Sequence, residues 1–381
     1  MKLGLKTIFS VAGALILASG LADNAAAQGR QAAPAKGPTA GEFFKNVTTN
    51  SLKGLSVDDF LEAMGVISAD LAYDCSNCHP GAGTNKVDFV VDTQLKRTAR
   101  KMIDMVGALN ASSFSGVQLV TCYTCHRGSD APVTTIGLDR LYGPPNEEQR
   151  DILPMRDPAA AAKVLDKYIE AVGGAQRLAG LTSYIATGTS VGYGGLGGGG
   201  SFQIFAKTPN QRAVVVEFKD SPERGGSIRA FNGIEGWIKT PRGLLNDYDV
   251  TGNELDGERL DAQMAFPGQI KQVLNNWRLG YPDTVNGHSV NIVQGTGPRG
   301  LLATLYFDKT TNLLTRVVRY VPSTVGRMPT QADFDDYRDV NGIKFPFKYT
   351  YSWLDGKDSF QLTGVQINVP IDAARFSKPR K

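Results

Sequence analysis

The sequence predicts a multidomain protein in which a small all-α domain is followed by a mainly antiparallel β domain with one or two helices. Residues 42–130 carry apolar side chains at helical spacing. From residue 159 onward, short runs of alternating apolar and polar side chains follow one another. Asn-Gly pairs separate several of these runs, which is typical of an antiparallel meander. With 381 residues, the chain is long enough for two domains.

The first 27 residues have the pattern of a cleaved export signal. Two lysines precede an apolar run from Ile8 to Leu17, and three small residues, Ala25 to Ala27, offer a cleavage site. An uncleaved N-terminal anchor is the alternative. Residues 28–41, rich in Ala, Pro and Gly, are expected to form a flexible linker. We therefore expect a periplasmic or exported protein, with association at the outer face of the cytoplasmic membrane left open.

Two helices are predicted within residues 42–130. Ser56 can cap the first helix, whose apolar side chains run from Val57 to Leu71 at helical spacing. The second helix covers about Asp88 to Leu109. Residues 131–158 contain several prolines and little periodicity, so they are expected to connect the two domains.

The β domain, residues 159–381, is expected to open with an amphipathic helix that ends at Gly173. Strand-like runs follow, and a second helix, about Gly257 to Arg278, interrupts them. The glycine-rich stretch 194–200 is expected to be a hairpin tip or a disordered loop. A phosphate-binding role is not expected there, because no Gly-Lys-Ser/Thr follows.

All four cysteines lie in two copies of one pattern, "CSNCH" at residues 75–79 and "CYTCH" at residues 122–126. In an exported protein, Cys-x-x-Cys-His is the signature of covalent c-type haem attachment. Two thiols at this spacing reach the two vinyl groups of one porphyrin, and the adjacent imidazole lies beneath the iron. The sequence thus predicts two covalently bound haem c groups. Their predicted protein ligands are the thiols of Cys75, Cys78, Cys122 and Cys125 and the imidazoles of His79 and His126.

Three other uses of paired cysteines explain the pattern less well. Two disulfides would leave both adjacent histidines without a role. A zinc ribbon usually has ~15–20 residues between its two pairs, whereas residues 79–121 separate these. A thioredoxin-like dithiol would need a single pair in a βαβ context, which the sequence does not indicate.

The second axial ligand of each iron is expected to be a methionine. Met64 lies on the first predicted helix, and Met102 and Met105 lie on the second, so each motif is preceded by a candidate. Methionine with histidine raises the reduction potential and suits electron transfer. Core packing is the ordinary role of such methionines, and spacing alone leaves Met102 and Met105 open. His288, the remaining histidine, follows an Asn-Gly turn and is expected to be a surface residue.

Residues 64–128 resemble half of the tetrahaem cytochrome subunit of purple-bacterial photosynthetic reaction centres. The resemblance rests on "MGVISADLAYDCSNCHP", "RTARKMIDMVGALN" and "VTCYTCHRG". It implies that Met64 pairs with His79, and that Met102, in its Arg-Lys-Met setting, pairs with His126; Met105 is the alternative. The chain has two of the family's four haem motifs and lacks the N-terminal cysteine that carries a lipid anchor in many members.

The β domain resembles the open half-barrels of periplasmic lipoprotein carriers. The resemblance rests on the leading helix, the meander and the final "DVNGIKFPFKYTYSW" and "VQINVPIDAARFSKP" stretches. It implies a half-barrel-like sheet whose concave face binds a lipid or acyl chain. A docking or scaffolding role for the domain is the alternative.

Together these features favour an electron-transfer protein of the photosynthetic reaction centre cytochrome type over an enzyme. Its expected partners are redox proteins, including a membrane-bound electron-transfer complex. A dihaem peroxidase, which needs an open or displaceable iron site, is the alternative. A lipid-binding domain with a redox-active haem tether is a third reading. The formal net charge of +4 gives no nucleic-acid signal.

Overall fold

The computed structural model describes residues 37–135, 153, 157–192, 199–218, 226–239, 247–354 and 356–378. The predicted signal segment, most of the linker and connector, and most of the glycine-rich stretch 194–200 lie outside the described residues. The predicted boundaries between signal, linker, connector and the two domains therefore stay predictions.

The N-terminal part of the described chain is helical. Its helices are α1 Ala40–Phe43, α2 Asn50–Lys53, α3 Val57–Leu71, α4 Cys75–Cys78, α5 Gln94–Ser113 and α6 Cys122–His126. Ser56 caps α3, because its Oγ accepts a hydrogen bond from the N–H of Asp59 at 3.1 Å. Ala72 ends the same helix in a left-handed conformation, with φ of 52°. The bounds of α3 are those that the sequence predicted.

α5 begins later than predicted, at Gln94 rather than near Asp88. The Asp88 carboxylate accepts hydrogen bonds from the N–H groups of Val90 and Val91 at 2.8 and 3.2 Å, which turns the chain. Thr93 then caps the helix, since its Oγ1 accepts from a first-turn N–H at 3.3 Å. Local side-chain hydrogen bonds, rather than apolar periodicity, therefore set the start of α5.

The C-terminal part combines helices with a large sheet. Its described helices are α7 Pro158–Val172, α8 Ala175–Ala179, α9 Gly252–Met264 and α10 Ile270–Val273. Its described strands are β1 Ser183–Gly192, β2 Gly200–Lys207, β3 Gln211–Phe218, β4 Ser227–Phe231, β5 Gly236–Lys239, β6 Asp247–Val250, β7 Asn275–Leu279, β8 Asp283–Val285, β9 His288–Thr296, β10 Leu302–Asp308, β11 Leu314–Pro322, β12 Arg327–Val340, β13 Ile343–Trp353 and β14 Gly356–Ile367. α7 is the predicted leading helix. No helix within the described residues is long and apolar enough to cross a membrane.

The described strands form one antiparallel sheet, in the order β6-β5-β4-β3-β2-β1-β14-β13-β12-β11-β10-β9-β7, with β8 paired to β9. β1 and β14, the first and last described strands along the chain, are neighbours near the middle of the sheet. Ile238 on β5 and Arg319 on β11 line one cavity. Eight strand-to-strand steps lie between them, which would be ~38 Å in a flat sheet. The sheet must therefore curl around a hollow face, which confirms the predicted half-barrel-like form.

The helix predicted at about Gly257 to Arg278 was wrong in its second half. α9 ends at Met264, a 3₁₀ turn follows at Pro267–Gln269, and Arg278 lies in β7. Proline has no N–H with which to continue the helical hydrogen bonds, and this explains the break. α9 itself contacts β3, β4 and β11, so it lies across the hollow face.

The sheet buries apolar side chains in two separate clusters. In the larger cluster, Phe202 and Phe307 are almost fully buried, and the Tyr168 ring of α7 lies 5.0 Å from the Phe307 ring. In the smaller cluster, Phe205 is covered by Phe376 of the C-terminal segment. Phe202 and Phe205 are an odd number of positions apart on β2, so they point to opposite faces. Both faces of the sheet are thus shielded there.

The N-terminal helices are joined to the β part through α3 and α9. Asp58 Oδ2 accepts from the N–H of Thr251 at 3.1 Å, and Asp59 Oδ1 accepts from the N–H of Asn253 at 3.3 Å. Gly252, between them, has φ of +61°, and a Cβ there would come within 2.2 Å of Asp59 Oδ2. These contacts fix the start of α9 on the start of α3.

Replacing Asp58 with asparagine should change how stability depends on pH. Burial raises the pKa of Asp58 to about 7, from an ordinary value of 3.8. Between these values the folded state holds a proton that the unfolded state has released, so stability falls as the pH rises through this window. We expect Asp58→Asn to match the parent near pH 4 and to exceed its unfolding free energy by about 1–3 kcal/mol at pH 8.

Denaturant titrations across pH 4–8 measure this effect. Asp104→Asn, which removes an exposed carboxylate on α5, is the matched control and should follow the parent. Parallel pH profiles for Asp58→Asn and the parent would show that Asp58 does not hold the proton.

Candidate functional site

The first Cys-x-x-Cys-His motif forms the one-turn helix α4 and its C-terminal cap. Asp74 Oδ1 accepts from the N–H of Ser76 at 2.7 Å, and the Asn77 side chain accepts from the N–H of Asp74 at 2.8 Å. The N–H of His79 donates to the carbonyl of Cys75 at 2.9 Å. This closed turn presents both thiols and the imidazole from one short segment.

A cavity of about 520 Å³ lies between this motif, α3 and α5, and its volume is within the usual range of ligand pockets. Met64, Cys75, Cys78 and His79 all line it, so the structure brings together the four residues that the sequence assigned to one haem. Much of the remaining wall is aromatic or aliphatic, and includes Phe43, Phe44, Phe60, Tyr73, Phe89 and Ile103. The donor set and the apolar wall both fit a haem c group.

The His79 imidazole is in the form that binds iron. Burial, with a smaller contribution from Lys96, lowers the pKa of His79 below its usual value. The ring is therefore neutral near pH 7. Its Nδ1 is buried and has no hydrogen-bond partner among the described residues. Such buried polar atoms are uncommon. The Phe89 ring lies 5.0 Å away, between ring centroids.

Two cationic side chains of α5, Lys96 and Arg100, also line the cavity. Lys96 is buried, and its Nζ donates to the carbonyls of Phe89 and Val91 at 2.9 and 2.8 Å. Arg100 pairs with Asp92 at 2.5 Å. Positive charge in this wall suits the carboxylates of haem propionates. The sequence interpretation missed both residues, although their four-residue spacing places them on one helix face.

The second motif forms α6, which carries Cys122 and Cys125 one turn apart. The Nδ1 atom of His126 lies 3.0 Å from the carbonyl oxygen of Ser129. With the proton on Nδ1, that nitrogen donates to the carbonyl and Nε2 is left to bind a metal, which is the usual arrangement of ligating histidines. The second set of predicted residues therefore also fits haem attachment.

Two of the four thiols have a raised pKa, which does not favour other uses of paired cysteines. Burial raises the pKa of Cys78 above the usual thiol value and raises that of Cys122 to about 11. Redox dithiols and zinc sites act through thiolates, which a lowered pKa would favour. The four cysteines are free. Within the described part of the chain, no three His, Cys, Asp or Glu side chains converge as a metal cluster. His288 is 70% exposed, as expected of a surface residue.

Asp70, near the end of α3, holds the second motif in place. Its Oδ2 accepts from the N–H of Tyr123 at 3.0 Å, and its carbonyl accepts from the N–H of Gly128 at 3.0 Å. Burial raises the pKa of Asp70 to about 6. Since Met64 lines the first cavity, α3 contributes to both sites. Asp70 was not recognised from the sequence, because its partners lie far along the chain.

Asn110 fixes the loop that leads to the second motif. Its Oδ1 accepts from the N–H groups of Leu119 and Val120 at 3.1 and 3.0 Å, and its Nδ2 donates to the Val120 carbonyl at 2.8 Å. On the other side of the motif, the N–H of Val133 donates to the carbonyl of Cys125 at 2.8 Å. Segments before and after α6 are therefore held close to it.

Large apolar side chains are exposed on α5 and in the segments beside the second motif, namely Met102, Met105, Leu109, Leu119, Tyr123 and Val133. Met102 is 43% exposed and Met105 is 51% exposed, so exposure leaves the choice between the two methionines open.

The comparisons agree with the sequence resemblance. Residues 4–151 match the family described as photosynthetic reaction centre cytochrome C subunit. The photosynthetic reaction center cytochrome c subunit of Thermochromatium tepidum is 36% identical over 106 residues, which is 26% of this chain and 24% of that protein. The corresponding subunit of Rubrivivax gelatinosus is 35% identical over 102 residues, 25% of each chain. The chain thus spans about a quarter of the length of these relatives, and residues 4–151 carry a domain of this family.

The chain is also similar, at low identity, to several solved structures. A DUF1329 family protein from Desulfovibrio piger has a TM-score of 0.41 at 14% identity, covering 58% of this chain and 98% of that one. A putative outer membrane lipoprotein-sorting protein domain from Vibrio parahaemolyticus has a TM-score of 0.38 at 11% identity, covering 57% and 97%. A LolA superfamily protein from Nitrosomonas europaea has a TM-score of 0.39 at 12% identity, with the same coverage. The predicted likeness to lipoprotein carriers is found, at the level of overall fold.

Removing the Asn110 side chain should destabilise the protein, because Asn110→Ala leaves two N–H groups and one carbonyl of the loop without their partners. We expect the unfolding free energy to fall by about 2 kcal/mol. Chemical denaturation of the haem-loaded protein measures it. Ser112→Ala, an exposed change on the same helix, should have little effect. Equal stabilities of the two variants would show that the loop does not depend on Asn110.

Proposed function

We propose that the protein is an exported dihaem c-type cytochrome that transfers electrons in the periplasm. The observation that carries this proposal is the single cavity lined by Met64, Cys75, Cys78 and His79. Each of these side chains supplies a different part of a c-type site, and they come from two separate helices. When bound, haem supplies reversible one-electron chemistry at iron, with a potential set by its axial ligands.

The chain's own residues have distinct roles in this proposal. The four cysteines would attach the two porphyrins, and His79 and His126 would each bind an iron. Met64 would also bind the first iron, since it lines the same cavity as His79. For the second iron we propose Met102, with Met105 as the alternative. The choice rests on the Arg-Lys-Met setting that Met102 shares with the resembling family.

The surroundings of the two motifs suggest how partners are used. The first motif lines a cavity walled by helices and aromatic rings, whereas Tyr123 within the second motif and Met102, its proposed ligand, are exposed. We propose that redox partners, including a membrane-bound electron-transfer complex, meet the protein near the second haem. Filled axial positions at both irons leave no site for a substrate, so we propose a carrier rather than a peroxidase.

The β domain is proposed to bind a ligand on its hollow face. The expectation of a lipid or acyl chain comes from the resemblance to lipoprotein carriers. The cavity on that face, of about 400 Å³, is lined by charged as well as apolar side chains. A hydrocarbon chain alone matches such a wall poorly, because buried charges need polar partners.

Haem content and spin state test the proposed carrier. We expect the purified mature protein to bind about two haems per chain, both low-spin in the ferric state, because each iron has two strong axial ligands. The double variant Cys122→Ala/Cys125→Ala should retain about one haem, which is the first. A high-spin ferric component that reacts with peroxide would contradict the carrier and support the peroxidase alternative.

The methionine assignments can be tested one at a time. Met64→Leu should lower the potential of the first haem, and Met102→Leu that of the second, by roughly 0.1 V or more, because thioether ligation favours the ferrous state. Potentiometric titration followed by absorption measures this. Met105→Leu is the matched control, with similar exposure on the same helix, and should leave both potentials unchanged. A shift in Met105→Leu instead of Met102→Leu would reverse the assignment.

A further inference from the structure

A second cavity, of about 400 Å³, lies between α3, α9 and the hollow face of the sheet. α3 separates it from the haem cavity, and Leu61 and Gly65 line both. Its volume is within the usual range for small-molecule pockets. The proposed electron-transfer function makes no use of it.

Arg319 on β11 is a buried cation in the wall of this cavity. The residue is 2% exposed. Its guanidinium lies across Gly257 of α9, where a Cβ would sit 1.2 Å from Nη1, so only glycine leaves room for it. Nη2 donates to the Tyr351 hydroxyl at 3.0 Å and to Glu254 at 3.4 Å. Nε and Nη1 have no hydrogen-bond partner among the described residues, but both atoms are fully buried, so a ligand in the cavity does not reach them.

A second arginine in the wall, Arg212 on β3, makes no hydrogen bond or ion pair that the described residues show. Arg229, a third, is occupied, because it pairs with Glu254 at 3.2 Å and also with Glu258. Arg212 therefore brings donors to the cavity, and the buried charge of Arg319 lies in the same wall. Planar guanidinium groups are well suited to bind a carboxylate through two parallel hydrogen bonds.

The carboxylates in the same wall do not use up these donors. Glu254 is shared between Arg229 and Arg319, and Asp261 lies 3.8 Å from the same Nη2 atom of Arg319. Glu62 and Asp358 are also in the wall. Glu62 Oε2 is itself a buried acceptor without a partner among the described residues, so the donors left for a ligand are those of Arg212.

The rest of the wall is suited to a compact apolar body. The Tyr349 and Phe360 rings stack at 4.5 Å between centroids and 8° between planes. Tyr351 and Trp353 extend this aromatic surface, with ring centroids 6.1 Å apart. All four rings line the cavity. A flat ring or a short aliphatic group would make extensive contact here.

We propose that this cavity binds a small, free organic carboxylate. The carboxylate accepts hydrogen bonds from Arg212 and is attracted by the buried charge of Arg319, and the body of the ligand packs on Tyr349 and its neighbouring rings. A long acyl chain is not the expected occupant, because charged side chains are distributed through the wall and the cavity volume is small. The proposal does not depend on haem content, since none of these residues belongs to either motif.

Isothermal titration calorimetry on the haem-loaded full chain tests the proposal. Benzoate and octanoate are the carboxylate probes, and benzyl alcohol is the matched neutral probe. We expect one carboxylate to bind per chain, and benzyl alcohol to bind at least about tenfold more weakly, because it cannot accept from two charged donors. The proposal would be overturned if neither benzoate nor octanoate bound measurably at millimolar concentration.

Two arginine variants and one control locate the site. Arg212→Gln should weaken carboxylate binding at least about tenfold, and Arg212→Lys should weaken it less, because the charge is kept but the planar fork is lost. Lys348→Gln, which removes an exposed charge on β13, should leave binding unchanged. Thermal unfolding checks that each variant is folded. Equal affinities in Arg212→Gln and the parent, or binding only to fatty-acid vesicles and to neither free carboxylate, would overturn the proposal.

Discussion

The packing of α3 between two cavities is the constraint on which the rest of the structure depends. Ala63 and Val66 are almost completely buried in the main core, while Met64 lines the cavity with the first Cys-x-x-Cys-His motif. At its start the helix binds the backbone of α9, and near its end Asp70 binds the second motif. Since close-packed interiors tolerate little displacement, one helix sets the position of both motifs relative to the sheet.

Features that depend on neighbouring residues were predictable from the sequence. α3 has its cap and its apolar period within fifteen residues, and its predicted bounds were correct. In each motif the cysteines and the histidine are positioned relative to one another by the motif itself, because it forms a single helical turn. The same local logic explains the errors. Asp88 turns the chain before α5, and Pro267 stops the helix that apolar periodicity extended to Arg278.

Features that depend on distant residues were not predictable. Nothing in the sequence indicates that β1 lies beside β14, or that Arg319 lies across Gly257. Lys96 and Arg100 form part of the first cavity only because α5 folds back against α4. The choice between Met102 and Met105 also depends on more than neighbouring residues. Both have similar exposure on one helix, so their relation to the second motif depends on how a porphyrin is seated.

Because α3 is packed on two sides, the helical part and the sheet of this chain depend on each other. Without the sheet, the side of α3 that carries Ala63 and Val66 would be left bare; without the helices, the hollow of the sheet would lose a wall. Producing either part alone would expose apolar surface that the other part covers, so the two parts of this chain are expected to be expressed in folded form only together.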